Sequence, residues 1–149
     1  MPLALAYRAI NTLDSTVGYK DVYHINIGWF SAKMDTLLNY IPARITSILM
    51  ILSAWILHED WRSGWSILKR DRGNTESPNA GWTMSTAAGL FNVQLEKPGF
   101  YKIGDCKNRL LPEHIPRALN IMKITSILFL ITVVLPLIFL FGGFFGIIV

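Results

Sequence analysis

The N-terminal segment carries apolar side chains at helical spacing. Four residues have this spacing: Leu3, Tyr7, Ile10 and Leu13. The pattern predicts an amphipathic helix, and Gly18 is well placed to end it. Asn11, Asp14 and Ser15 would then share one face, because they are separated by three and four positions. The sequence therefore predicts a helix on which three short polar groups converge.

A second segment has the same kind of two-sided pattern. Its apolar stripe consists of Phe30, Met34, Leu37, Leu38 and Ile41. Ser31, Asp35 and Asn39 lie together on the opposite face, which therefore carries an acid. From the pattern alone, both this face and that of the first helix are interpreted as solvated helix sides rather than as parts of a site.

Two further runs are apolar on all sides. Ile45–Leu57 has 13 uncharged residues and reaches only about 20 Å as a helix. It either spans a bilayer with help from a snorkelling Arg44 or only enters it. Ile124–Val149 has 26 uncharged residues and would reach roughly 39 Å, enough to cross the ~30 Å hydrocarbon core. We predict a transmembrane helix there, distorted at Pro136.

In the middle of the chain, a helix is predicted to begin at Ser77–Gly81. Ser77 or Asn79 can cap it, and Pro78 suits its first turn. Its first N–H groups could hold a phosphate, although a capped helix without a ligand is the commoner meaning of such a start. Gly89 is predicted to end this helix.

A hairpin is predicted after this helix. Phe91–Glu96 alternates like a strand, Lys97–Gly99 supplies a turn, and Phe100–Ile103 can return as the partner strand. Upstream, Lys69–Asn74 is predicted to be a mobile surface loop because of its charge.

Composition places these elements in a membrane. The 149 residues are 52% hydrophobic and only 16% charged, which is unusual for a soluble domain. Residues 59–123 hold 10 Lys and Arg against 7 Asp and Glu, so the positive-inside rule places them in the cytoplasm. We predict an all-α, multi-pass integral membrane protein of one domain. In this helical bundle 45–57 is a short span or re-entrant segment, 59–123 is a cytoplasmic loop region with a short β-hairpin, and 124–149 is a transmembrane helix.

The sequence lacks the motifs of several common kinds of binding and catalytic site. No Gly-Lys-Ser/Thr loop for nucleotide phosphates is present. His58-Glu59 begins like a zinc-protease motif, but Arg62 stands where the second His should be. A single cysteine, Cys106, excludes an internal disulfide and a cysteine-based metal cluster. The net charge of +4 is modest for a nucleic-acid-binding protein.

Four runs together resemble a known family. They are Ala6-Tyr7-Arg8-Ala9-Ile10-Asn11-Thr12-Leu13-Asp14-Ser15, Val17-Gly18-Tyr19, Asn39-Tyr40-Ile41-Pro42-Ala43-Arg44 and Ser77-Pro78-Asn79-Ala80-Gly81. In order and spacing they resemble the adenosylcobinamide-phosphate synthases, the CbiB/CobD proteins of cobalamin biosynthesis. The resemblance covers roughly residues 4–104, and the closing hydrophobic helix agrees with it.

The resemblance implies an amide ligase of the cell membrane. Such an enzyme joins the propionate carboxylate of adenosylcobyric acid to aminopropanol phosphate, with ATP as the energy source and Mg²⁺ as the metal ion. Because a carboxylate and an amine do not condense usefully in water, the carboxylate must be activated, for example as an acyl phosphate.

The resemblance also implies roles for the matching residues. Asp14 and Asp35 would hold Mg²⁺ or orient the amine, and Lys20 would assist catalysis by pairing with oxyanions. The substrate-binding residues would be Asn11, Ser15, Arg44, Ser77, Asn79 and Gly81.

The family is about twice as long as this chain, which resembles its C-terminal half. We therefore expect a partner, either a separate N-terminal-half chain or further copies of this one. Two alternatives stay open: a non-catalytic membrane subunit, and a signalling modulator of the AmpE type. A true span at 45–57 would place Asp14 and Asn79 on opposite sides of the membrane, so one shared site requires that segment to be re-entrant or interfacial.

Overall fold

The computed structural model describes residues 2–17 and 28–145, which are mainly helical. The helices are α1 (Pro2–Val17), α2 (Trp29–Leu38), α3 (Tyr40–Ile56), α4 (Trp61–Asp71), α5 (Ala80–Phe91), α6 (His114–Phe129) and α7 (Leu135–Phe145). Strands β1 (Leu95–Lys97) and β2 (Tyr101–Ile103) lie between α5 and α6, and a π-helical turn, Leu130–Val134, joins α6 to α7. The predicted helical architecture with a small hairpin is confirmed.

The polar faces of α1 and α2 lie against each other. Asn11 Nδ2 donates to Asp35 Oδ1 at 3.1 Å, and Tyr7 Oη donates to Asn39 Oδ1 at 2.8 Å. The apolar stripe of α2 faces outward instead, with Phe30 65% exposed. The interpretation of these faces as two separate solvated sides is therefore wrong, because each face supplies the hydrogen-bond partners of the other.

The break between α2 and α3 is explained by the proline at position 42. Pro42 has no N–H group, so the Leu38 carbonyl cannot receive its usual helical hydrogen bond. Asn39 ends α2 by donating its N–H to the Asp35 carbonyl at 3.0 Å, and its own carbonyl accepts the N–H of Ala43 at 3.1 Å. The two helix axes differ by 41°. Proline thus divides a long apolar helix and places a polar residue at the junction.

Helices α3, α4 and α5 form a unit in which the chain turns back twice. Asp60 caps α4 by accepting the Ser63 N–H at 3.0 Å. Ser63 Oγ donates to Asn92 Oδ1 at 2.8 Å at one end of α4, and the Arg72 carbonyl packs against Gly81 at the other end. Helices α4 and α5 are therefore antiparallel, which returns the start of α5 to the start of α3.

Helix α4 corrects the prediction of a mobile loop at Lys69–Asn74. Lys69 to Asp71 form the last helical turn, and Asp71 is only 4% exposed. Its carboxylate accepts hydrogen bonds from Arg70 at 2.7 Å and from the Gly104 N–H at 2.8 Å. The Arg70 bond is the larger cause of the lowered pKa of Asp71, and the Gly104 bond adds to it. The charges that suggested a loop instead fix the hairpin to α4.

Helix α5 is longer than predicted. It passes through Gly89 and ends at Phe91, where Asn92 adopts a left-handed conformation with φ of 53°. Gly89 instead lies where α5 crosses α4, because a Cβ placed on it would be 2.7 Å from the Cα of Gly64. The glycine serves a close helix crossing rather than a helix end.

The hairpin forms with a slightly different turn. Leu95 pairs with Ile103, Glu96 with Lys102 and Lys97 with Tyr101. The strand therefore begins at Leu95 rather than Phe91, and Lys97 belongs to the strand. The Phe100 N–H closes the turn by donating to the Lys97 carbonyl at 3.0 Å.

The final helix packs antiparallel to α3. Ser53 Oγ and Thr125 Oγ1 are 2.9 Å apart, and Glu59, just after α3, forms an ion pair with Arg117. The helix begins at His114, ten residues before the predicted start, so residues 59–123 contain α4, α5, the hairpin and the start of α6. The π-helical turn comes just before Pro136, which confirms the predicted distortion.

Among residues 2–17 and 28–145, one helix is long and apolar enough to cross a bilayer. It is His114–Leu140, with 27 residues and a mean hydropathy of 2.4 in its most apolar window, none of which is buried. Helices α2 and α3 meet the same criteria only if they are taken together as one broken span.

Candidate functional site

Two carboxylates lie at the contact between α1 and α2. Asp35 Oδ1 accepts hydrogen bonds from Asn11 Nδ2 at 3.1 Å and from Asn39 Nδ2 at 2.9 Å. Partial burial raises the pKa of Asp14, and the negative charge of Asp35 raises it further. The α2–α3 break supplies Asn39, so the proline that bends the helix also completes the surroundings of Asp35.

This pair of acids suits a magnesium ion in donor chemistry. Mg²⁺ in proteins is held by one or two carboxylates and completes its shell with waters and substrate phosphates. Within the part of the chain that the structure describes, no group of three or more His, Cys, Asp or Glu side chains could hold a metal ion. Asp14 and Asp35 therefore fit a metal shared with substrate oxygens better than one enclosed by protein ligands alone.

Asn79 joins the Ser77–Gly81 motif to this region. It is only 8% exposed, and its Nδ2 donates to the Thr36 carbonyl at 2.8 Å. Its Oδ1 accepts from an Arg44 guanidinium nitrogen at 3.2 Å. Asn79 occupies the N-cap position of α5 as predicted, but its side chain makes no capping hydrogen bond. It connects α5 to α2 and α3 instead.

Ser77 and Gly81 have local roles in the structure. Ser77 Oγ accepts the Ala80 N–H at 3.4 Å, and its carbonyl accepts the Gly81 N–H at 3.3 Å. Gly81 is buried against the Arg72 carbonyl. Two of the N–H groups that could have held a phosphate are thus already engaged. The predicted substrate contacts of Ser77 and Gly81 stay predictions.

The remaining predicted site residues have different outcomes. Ser15 is exposed and donates its hydroxyl to the Asn11 carbonyl at 2.8 Å, one turn earlier in α1. Lys20 lies outside the described residues. The structure therefore brings Asn11, Asp14 and Asp35 together and connects them through Asn79 to Arg44.

A cavity beside Arg44 was missed by sequence reasoning. It has a volume of about 480 Å³, and its lining includes Tyr40, Arg72 and Trp82. Tyr40 and Arg44 are four residues apart on α3, a spacing that predicts contact between the two side chains. No comparable signal marks Arg72, because its position depends on how α4 ends and how α5 begins.

A second cavity of about 500 Å³ lies near the start of α6. Its walls are mainly apolar and include Phe91, Leu111 and Ile115. Such a lining offers few groups for phosphates or carboxylates. Charged side chains line the cavity beside Arg44 instead, near the starts of α3 and α5.

The comparisons with known proteins agree on one family. The family model described as CobD/Cbib protein matches residues 1–131. A probable cobalamin biosynthesis protein CobD of Methanothermobacter thermautotrophicus is 49% identical over 129 residues, covering 87% of this chain and 43% of the relative. CobD of Yersinia enterocolitica is 39% identical over 149 residues, covering 95% and 47%.

A third relative is the cobalamin biosynthesis protein CbiB of Salmonella paratyphi A. It is 40% identical over 139 residues, covering 85% of this chain and 42% of the relative. The chain thus spans about half the length of the curated relatives it matches. No solved structure matches it significantly.

Proposed function

This chain belongs to the CobD/CbiB family, and from that premise we propose that it acts in cobalamin biosynthesis as the C-terminal half of an adenosylcobinamide-phosphate synthase. The reaction joins the propionate carboxylate of adenosylcobyric acid to the amine of aminopropanol phosphate. ATP is the co-substrate that activates the carboxylate, by transferring its terminal phosphoryl group to it and leaving as ADP, which gives an acyl phosphate. Amide formation then releases phosphate and a proton from the amine.

The observation that carries this proposal is the meeting of two distant motifs. Asn11, from the run 6–15, donates to Asp35 on α2. Asn79, from the run 77–81, donates to the carbonyl of Thr36, the next residue after Asp35. The two motifs meet because α4 leads the chain back along α3. Asp14 and Asn79 can therefore serve one site, even though the apolar helix α3 lies between them in the sequence.

The residues supply complementary chemistry. Burial and the negative charge of Asp35 raise the pKa of Asp14, and a divalent cation held by both carboxylates would relieve their repulsion. Arg44 is suited to pair with the oxyanion of a substrate. Mg²⁺, held by Asp14 and Asp35, would neutralise phosphate charge when bound.

We also propose that the chain lies in the cell membrane as part of a multi-pass protein. The helix His114–Leu140 is roughly 40 Å long at ~1.5 Å per residue, which is long enough to cross the bilayer in a tilted orientation. Its outer side chains are strongly exposed, with Phe139 at 86% and Leu140 at 68%. Helices α2 and α3 would enter the membrane as a re-entrant pair, because a full span between Asp14 and Asn79 would separate the two residues.

The partner in this proposal is the N-terminal half of the family, supplied by a separate chain or by additional sequence, or another copy of this chain. The test measures adenosylcobinamide phosphate by mass spectrometry. Membranes that contain the chain receive adenosylcobyric acid, aminopropanol phosphate, ATP and Mg²⁺, with and without the N-terminal half of a relative.

Each outcome of this test has a distinct meaning. Product from the chain alone means that these residues hold a complete site, and product only with the added half means that the two halves form the site together. In either case Asp14→Asn should abolish the product while leaving membrane insertion intact. Absence of product in both arms contradicts the ligase proposal and favours a non-catalytic membrane subunit.

A further inference from the structure

The cavity beside Arg44 is built from three parts of the chain. The start of α3 contributes Tyr40 and Arg44, the segment after α4 contributes Arg72 and Glu76, and α5 contributes Trp82. Its volume of about 480 Å³ is within the usual range for small-molecule sites. It opens to the surface, so a ligand can enter from solvent.

Two guanidinium groups share one aromatic ring in this cavity. The Arg44 guanidinium carbon lies 4.8 Å from the centroid of Trp82, and that of Arg72 lies 5.0 Å from the same centroid. Arg44 also stacks at 3.3 Å over Tyr40. The rings orient both cations. Arg44 Nη1 already donates to the Tyr40 carbonyl at 2.5 Å and to Asn79 Oδ1 at 3.2 Å, so a ligand would bind Arg44 through Nη2 and Nε.

Arg44 and Arg72 differ from two other arginines in whether they pair with carboxylates. Arg70 pairs with Asp71 and Asp105, and Arg117 pairs with Glu59. Among the described residues, neither Arg44 nor Arg72 has a carboxylate within ion-pair distance. Among the described residues that line the cavity, the one acid is Glu76, which is paired with Lys97 at 3.0 Å. Within this part of the chain, no carboxylate pairs with either of the two guanidinium groups.

We propose that this cavity binds the phosphoryl group of a substrate through Arg44 and Arg72. Two guanidinium groups match the charge of a phosphoryl dianion, and each can donate two parallel hydrogen bonds to its oxygens. The source of the phosphoryl group rests on the proposed function, which offers two: the phosphate monoester of the amine and the triphosphate of ATP.

The position of the cavity supports this assignment. Arg44 bonds to Asn79, which bonds to the Thr36 carbonyl, one residue from Asp35. A phosphorylated substrate anchored by the arginines would therefore reach toward the carboxylates. Since Ser77 already accepts the N–H of Ala80, side chains rather than the start of α5 carry the binding.

The test measures binding directly and without turnover. The purified full chain in dodecyl maltoside is titrated by calorimetry with inorganic phosphate, ATP or aminopropanol phosphate, each in a separate experiment. The variant is Arg72→Gln. The matched control is Arg62→Gln, because Arg62 also stacks over a tryptophan, Trp61 at 5.3 Å, but lies at the other end of α4. Thermal unfolding without ligand shows whether each variant is folded.

The expected result is binding of at least one phosphorylated ligand by the wild type and by Arg62→Gln. Arg72→Gln should bind it at least about tenfold more weakly, since it lacks one charged donor. The ligand whose affinity falls identifies the source. Equal affinity of Arg72→Gln and wild type, or no binding by the wild type, overturns the proposal. If the chain binds a phosphorylated ligand but no amide product forms, the ligase proposal alone is contradicted. If amide product forms but Arg72→Gln binds the ligand as tightly as the wild type, the cavity proposal alone is contradicted.

Discussion

At the scale of single residues, Asn79 shows why an amide is needed at the junction of the two motifs. Its nitrogen donates to the Thr36 carbonyl and its oxygen accepts from Arg44. An aspartate could not donate, and a serine could not reach both partners. A helix start with Asn at this position reads as a cap, so sequence reasoning identified the residue but not its tertiary hydrogen bonds.

Asp14 gives a prediction about pH at the same scale. Its pKa is raised above 3.8 by burial and by the charge of Asp35. Between that ordinary value and its folded value, the folded chain binds more protons than the unfolded one, so stability falls as pH rises through this window. Asp14→Asn should lack this part of the pH dependence and gain thermal stability relative to wild type as pH rises.

Thermal unfolding of both proteins from pH 4 to pH 8 checks this expectation. Glu96→Gln is a suitable control, because Glu96 lies on the exposed hairpin and pairs with Lys102 at 3.3 Å. If the difference in melting temperature between Asp14→Asn and wild type is constant across the series, Asp14 does not have a raised pKa in the folded chain.

At the scale of elements, the crossing of α4 and α5 depends on a pair of glycines. A Cβ on Gly89 would lie 2.7 Å from both the Gly64 Cα and the Ser63 carbonyl oxygen. Gly89→Ala should therefore push the helices apart and lower the free energy of unfolding by about 1–3 kcal/mol. This loss should exceed the gain of up to about 1 kcal/mol from the better helix propensity of alanine.

The matched control for this crossing is Gly73→Ala, because a Cβ on Gly73 would meet no atom within 4 Å. Denaturation in detergent should separate the two variants clearly. Equal stability of Gly89→Ala and wild type would mean that the helices can shift apart at no cost, and that the close crossing is not needed.

The elements also show which patterns sequence reasoning could use. The spacing of Asn11 and Asp14 predicted a polar face, and the turn after Lys97 predicted the hairpin. Local patterns could not show that the faces of α1 and α2 contact each other, since their partners are distant in the sequence. Helix α4 was not predicted, and its last turn was assigned to a loop because the charge of Asp71 indicates solvent unless its partners, Arg70 and Gly104, are known.

At the scale of the whole molecule, polar and apolar side chains are distributed unlike those of a soluble domain. Ser47, Ser53 and Ser85 are fully buried, whereas Ile131 and Ile138 are 53% and 62% exposed. Small polar residues between helices and large apolar ones outside are typical of membrane bundles. The uncharged composition of 124–149 could predict this arrangement for the last helix, but the burial of serines required knowledge of the packing.

The orientation of the chain in the membrane can be tested with its single cysteine. Cys106 is exposed and lies between the hairpin and the start of the long apolar helix. Because residues 59–123 carry the excess of Lys and Arg, Cys106 should face the cytoplasm. An impermeant maleimide should label it in permeabilised cells and not in intact ones, with Cys106→Ser as the unlabelled control.

A second variant tests whether His114–Leu140 crosses the membrane once. Cys106→Ser combined with Val149→Cys moves the thiol to a position that follows Leu140 in the sequence, and a single crossing by His114–Leu140 predicts that it faces the other side. It should then be labelled in intact cells. Labelling of Cys106 in intact cells would contradict the orientation, whereas the same accessibility for both thiols would contradict the crossing itself and leave α6 and α7 at the membrane surface.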